Sequence, residues 1–183
     1  WLWREGSRLN DRSGKTLGQI LNDAKKLSKY DVGETVEGLA GKTGRKPSEI
    51  LKLNSNENFF VPLDFLRNLL KEAIDEIDPR IYPRDETREL RESLSNCLNI
   101  SPQEIVIGTG SDQLIDLVSR MFLERGDEAL SIRPTFSIYE RCVRIQEASY
   151  TAIPLRDDFS LDTERLLSSA TPRTKLLFLC SPN

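Results

Sequence analysis

Gly108-Thr109-Gly110-Ser111-Asp112 is the sharpest local signal in the chain, and the chemistry it suits is the binding of a phosphate. Glycines let the backbone approach a ligand closely, and a helix starting here offers unpaired N–H groups and a partial positive charge. The Ser111 hydroxyl can add a hydrogen bond to an anion, or cap the helix instead. Asp112 would repel an anion, and its ordinary role is that of a first-turn acid on the helix dipole. A tight turn ahead of a capped helix therefore stands beside the phosphate cradle as a reading of the same residues. The run lacks the third glycine of a dinucleotide fingerprint, since Gln113 follows, and it lacks the Gly-Lys pair of a Walker loop.

Three further clusters could contribute. Arg133-Pro134-Thr135-Phe136-Ser137-Ile138-Tyr139 follows an apolar run, and Phe136 there could stack on a planar ring or simply join the core. Lys52-Leu53-Asn54-Ser55-Asn56-Glu57-Asn58 gathers amide and acid groups beside Phe59-Phe60, as a polar binding loop or as a turn held by side-chain-to-backbone bonds. Tyr82-Pro83 sits among chain breakers, either as an exposed hook or as a packed loop aromatic. With no histidine in the sequence, Ser-His-Asp, Cys-His and His-ligated zinc chemistry are excluded within it. Cys97, Cys142 and Cys180 are too widely spaced for a metal cluster or a paired framework, which favours a reducing, cytoplasmic setting.

The elements that must position these residues follow from periodicity. Pro62 through Ile77 carries Leu63, Leu66, Leu69, Leu70, Ala73, Ile74 and Ile77 at helical spacing, with Pro62 suited to a first turn. A second helix is expected from about Asp85 to Leu98, burying Leu90, Leu94 and Cys97 or Leu98. From Glu104 onward, short apolar runs alternate with helical stretches. Strands are predicted at Glu104–Gly108, Glu128–Ile132, Tyr150–Leu155 and Lys175–Cys180. Helices are predicted near Ser111–Leu123, Phe136–Gln146 and Leu161–Ser168. Strands separated by helices imply right-handed crossovers and a largely parallel sheet covered on both faces, an α/β architecture. Residues 1–45 read instead as an N-terminal extension and arm, with amphipathic patches at Leu17–Leu27 and Val36–Ala40, and residues 46–183 as part of a larger domain. Glu34–Leu53 loosely resembles a helix-turn-helix but holds few apolar anchors.

The 183 residues carry 30% charged side chains and a formal net charge of -3, so no net field draws the chain to nucleic acid or an anionic membrane. No apolar run approaches the length of about 20 residues that a membrane span needs. The chain begins at Trp1 and stops at Asn183 directly after an apolar run, and it is expected to be the front part of a longer protein.

Taken in order, KLNSNEN (Lys52–Asn58), Tyr82-Pro83, GTGSDQLIDL (Gly108–Leu117), RGDEAL (Arg125–Leu130), PTFSIYE (Pro134–Glu140), DFSLD (Asp158–Asp162) and TPRTKLLFLCSPN (Thr171–Asn183) resemble the aspartate-aminotransferase fold family. Within it they are most similar to the histidinol-phosphate aminotransferases, from about Tyr30 to Asn183. The resemblance implies the large, mostly parallel-sheet domain of a fold-type I enzyme and pyridoxal 5'-phosphate as cofactor. It implies a homodimer and transamination of histidinol phosphate with 2-oxoglutarate in histidine biosynthesis. Gly110, Ser111 and Asp112 match the loop that holds the cofactor phosphate, and Phe136 the aromatic that stacks on its ring. Tyr82 matches the tyrosine reaching across the dimer to the neighbouring cofactor phosphate. Tyr30, Asn54, Asn56 and Glu57 match the arm and loop that close over substrate. Phe59 stands where the family has a proline, so the path of that loop can differ. The resemblance places the Schiff-base lysine and the substrate arginines beyond Asn183, so residues 1–183 are expected to be inactive alone. Neighbouring readings are another class I or II aminotransferase or a threonine-phosphate decarboxylase-like enzyme. More distant ones are a non-enzymatic aminotransferase-like sensor domain and a nucleotide-binding Rossmann module.

Overall fold

The computed structural model describes residues 15–27, 33–82 and 87–183. Two compact units are distinguished, one joining the N-terminal segment to Gly108–Asn183 and the other comprising Asp31–Ile107.

The first unit is built on a parallel sheet. Helix α1 (Leu17–Lys26) precedes it in sequence; α5 (Gly110–Phe122), β1 (Glu128–Arg133), α6 (Ile138–Ile145), β2 (Ser149–Pro154), α7 (Thr163–Ser168) and β3 (Thr174–Phe178) follow. The strand order is β2-β1-β3 with both pairings parallel. Parallel neighbours cannot be joined by a hairpin, which is why α6 and α7 intervene as crossovers. The β1–β2 register runs from Glu128 opposite Ser149 to Arg133 opposite Pro154. Ser131 lies opposite Phe178 in β3, and the Ser131 hydroxyl donates to the Phe178 carbonyl at 2.9 Å.

Successive residues of β1 point to opposite faces and build two cores. Ala129 packs with Leu123, Val143 and Ala148, against which Tyr150, Leu176 and Phe178 lie. Leu130 packs with Ile153, Leu166 and the half-buried Leu161. Val143 belongs to α6 and Leu166 to α7, so the two crossovers cover opposite faces of the central strand. Gly126 makes the turn into β1 at a φ of +93°, a conformation that side chains rarely adopt.

Local chemistry fixes α1. Thr16 and Gln19 form a reciprocal capping box. Lys15 pairs with Asp23 at 2.6 Å and with Glu147 at 3.0 Å, beside the Arg125–Glu147 pair at 2.9 Å. Glu147 lies in the turn between α6 and β2, so these pairs tie the start of α1 to the sheet.

The second unit contains α2 (Val36–Thr43), α3 (Leu63–Glu76) and α4 (Thr87–Leu98), with 3₁₀ turns at Pro47–Glu49 and Pro102–Glu104. Pro62 stands just before the first turn of α3, as its N-cap. Residues 34–53 hold one helix and one 3₁₀ turn, without the second helix of a helix-turn-helix. Neither α3 nor α4 buries a residue, which corrects the expectation that Leu90, Leu98 and Cys97 are covered. Leu94 is half-buried.

The strand expected at Glu104–Gly108 is also corrected. Glu104 closes a 3₁₀ turn, its N–H donating to the Ser101 carbonyl at 3.0 Å and its carboxylate accepting from the Ser101 N–H at 3.0 Å. Residues 105–107 then run without a ladder partner, and Val106 is exposed. An apolar run supplies the side chains of a strand but not the neighbour that must satisfy its backbone.

Candidate functional site

Helix α5 leads into β1 through the short turn at residues 123–127, and its first turn carries the glycine-rich run. Gly110 opens α5 with a φ of +78° and nothing within 4 Å of the position a Cβ would take. Its N–H donates to the Gly108 carbonyl at 2.9 Å, and the Thr109 N–H to the Gln113 side-chain oxygen at 2.5 Å. Gly108 serves a different need. A Cβ there would sit 2.8 Å from the Leu114 side chain and 3.0 Å from that of Gln113, so a larger residue would have to displace those side-chain ends.

Thr109 is the N-cap and makes no side-chain bond to the first turn. Ser111 is therefore the second helical residue and not the cap, leaving first-turn N–H groups directed outward beside an exposed hydroxyl. That donor set fits an anion of phosphate size. Asp112 is exposed. In α6, burial raises the Cys142 thiol first of all, and the Asp116 and Asp112 carboxylates raise it further against Arg141 and Arg120. Among the described residues, no group of acids and cysteines is arranged to hold a metal.

Phe136 follows β1 and is half-buried. Its ring meets Tyr139 edge to face, with centroids 5.8 Å apart and planes at 88°. Tyr139 is stacked on Phe178 at 4.8 Å and 12°. Burial first, then its hydrogen bond with the Cys180 thiol, pushes the Tyr139 hydroxyl up to about 12, so it stays protonated near neutrality. Asn183, after β3, donates from Nδ2 to the Pro134 carbonyl at 2.8 Å and accepts from the Thr135 hydroxyl at 2.7 Å.

The remaining candidates lie in the second unit or outside the described residues. Tyr30 falls outside them. Tyr82 is 89% exposed, as a hook would be rather than a packed aromatic. Asn54, Asn56 and Glu57 share a loop that Lys52 gathers, its ammonium bonding Glu57 at 2.6 Å and Ser55 at 3.0 Å. Asn56 takes a φ of +51°, and Asn54 closes over Gly33. Asn58 turns inward on its own loop, accepting from the Phe60 N–H at 3.1 Å.

Glu128 gave no signal in the sequence. At the opposite end of β1 its buried carboxylate accepts from Thr151 at 3.0 Å and from Thr171 and Thr174 at 2.9 Å each. Burial alone would raise this carboxyl, but the three hydroxyls outweigh it and hold the group below the ordinary glutamate range.

The family model for aminotransferase class I and II matches residues 48–183. A histidinol-phosphate aminotransferase of Methanosarcina mazei is 40% identical over 158 residues, covering 86% of this chain and 42% of that protein. One from Methanocaldococcus jannaschii is 36% identical over 168 residues, covering 90% and 44%. The chain thus spans less than half the length of these curated relatives. Among solved structures, an aspartate aminotransferase mutant of Thermus thermophilus is 22% identical with a TM-score of 0.68, over 88% of this chain and 44% of that one. The Sinorhizobium meliloti histidinol-phosphate aminotransferase, solved with pyridoxal-5'-phosphate, is 23% identical with a TM-score of 0.58, over 74% and 35%. These structures support the fold.

Proposed function

The chain belongs to the class I and II aminotransferases, and we propose that the whole protein is a pyridoxal-phosphate-dependent histidinol-phosphate aminotransferase. Its reaction would convert histidinol phosphate and 2-oxoglutarate to imidazole-acetol phosphate and glutamate, in histidine biosynthesis. The observation that carries this reading is the first turn of α5, without a side-chain cap bond, open at Gly110 and flanked by the Ser111 hydroxyl. The substrate assignment is supported by the names of the relatives at 36% to 40% identity.

In this reading the N–H groups of Ser111 and Asp112 and the Ser111 hydroxyl bind the cofactor phosphate, where the helix dipole favours negative charge, and Gly110, with no side chain, lets the backbone come close to it. Phe136 offers its ring as the platform that orients the cofactor plane. Bound pyridoxal phosphate supplies the electron sink for breaking the Cα–H bond of an amino acid. Tyr82 is assigned to the cofactor phosphate of a second copy, in a homodimer. Asn54, Asn56, Glu57 and Tyr30 are assigned to closing over substrate and excluding water. The division into an arm (1–45) and a cofactor-binding domain (46–183) rests on sequence texture and the resemblance, and the cytoplasmic setting on the wide spacing of the cysteines. Among the described residues, no helix is long and apolar enough to cross a membrane.

The phosphate contact has a direct test in the full-length protein. Ser111→Ala should weaken pyridoxal phosphate binding about tenfold, one charge-assisted hydrogen bond, in equilibrium dialysis. Pyridoxal, which has no phosphate, should bind the variant and the parent alike. Equal losses for both ligands would remove Ser111 from the phosphate site. Turnover of histidinol phosphate in preference to aspartate, with no decarboxylation of threonine phosphate, separates this assignment from its neighbours.

A further inference from the structure

We propose that Asn183 and Tyr139 are positioning residues that hold the Phe136 ring from two sides; the inference rests on the reading of Phe136 as the cofactor platform. Phe136 follows the central strand on a loop and is only half-buried, so the sheet alone does not fix its tilt. The Asn183 amide fastens that loop from the end of the neighbouring strand. Its orientation is dictated chemically: the Pro134 carbonyl can only accept, so Nδ2 must face it, at 2.8 Å. Oδ1 is then left to accept the Thr135 hydroxyl at 2.7 Å. The two residues immediately before Phe136 are thereby held by one side chain.

The other side is held by rings. Tyr139 meets Phe136 at 5.8 Å and 88°, and its own plane is set by stacking on Phe178 at 4.8 Å and 12°. Phe178 is in turn fixed to the central strand through the Ser131 hydroxyl bond to its carbonyl, 2.9 Å. An unbroken series of contacts therefore joins the β1–β3 pairing to the platform. Tyr139 acts here through its ring.

Both arms of the test use the full-length protein. Backbone NMR order parameters of residues 135–137 without cofactor report the loop itself. Asn183→Ala, which alters an exposed side chain, should lower them from the rigid range of about 0.85 toward about 0.6, because the Pro134 carbonyl and the Thr135 hydroxyl both lose their partner. The visible circular dichroism of bound pyridoxal phosphate at saturation reports the tilt of the platform. Asn183→Ala and Tyr139→Leu should lower it, while Tyr139→Phe, which keeps the ring, should preserve it. Unchanged order parameters in Asn183→Ala, or equal damage from Tyr139→Phe and Tyr139→Leu, overturns the clamp. Phe136→Ala separates the two failures. If it alone loses dichroism, the clamp falls and the platform stands; if it loses none, the platform falls and the clamp's role with it.

Discussion

The sheet unit and the helical unit are written in similarly apolar sequence and use it differently. Leu130 in β1 is 2% exposed, and Ala129 beside it is fully buried. Leu70 in α3 lies on an equally regular apolar stripe and is 63% exposed, with Leu63, Leu66, Leu69 and Ile74 also open. The difference is one of partners. A parallel ladder requires neighbours for its backbone, and the crossovers that supply them also cover both faces of the central strand. A helix satisfies its own backbone, so its apolar stripe marks a face without supplying anything to cover it.

The widest separation between the units should appear in their response to truncation. Leu130→Ala should cost about 2–5 kcal/mol, because it removes side-chain contacts on a face closed by α7. Leu70→Ala should stay within about 0.5 kcal/mol, as expected where little surface is taken from water. Denaturant unfolding of the two variants measures both, and equal losses would break the distinction drawn here.

A smaller effect should come from Glu128, which binds the starts of the three strands through threonine hydroxyls. Glu128→Ala should cost on the order of 2 kcal/mol, the range for hydrogen bonds to a charged group. Its contribution also depends on pH. The folded carboxyl titrates below its unfolded value, so the stabilisation is complete above about pH 4.3, where a free glutamate ionises. It is lost as pH falls through the lower, folded value. Glu128→Gln should therefore flatten the acid limb of stability against pH, and a variant that keeps the parent's acid limb would remove the carboxylate from that role.

The sequence disclosed what local chemistry decides. Two glycines ahead of an amphipathic run located the start of α5, and alternation of apolar runs with helical stretches located β1, β2 and β3. It misled where a neighbour decides. Ile105-Val106-Ile107 has the composition of a strand but no ladder, and Leu90 has helical spacing but remains 48% exposed. The partners of Asn183 lie about fifty positions away, a pairing that no periodicity encodes. Glu128 reads as an ordinary surface acid until the register brings Thr151 and Thr174 beside it. Of the candidate site, the glycine-opened start of α5 was legible because glycine and helix start are local signals, whereas the support behind Phe136 depends on the strand order.

The smallest expected effect tests the helical unit on its own terms. Where few side chains are buried, local bonds should carry a larger share of helix stability. Thr35 caps α2 by accepting from the Gly38 N–H at 3.0 Å, and the helix ends at Gly44 in the left-handed conformation. Thr35→Ala should cost α2 about 1 kcal/mol. Because α2 buries only Ala40, that loss should appear as faster amide exchange within Val36–Thr43, while β1 exchanges as before. Equal acceleration in β1 would show that the two units unfold together, and the contrast between them would then be one of exposure and not of stability.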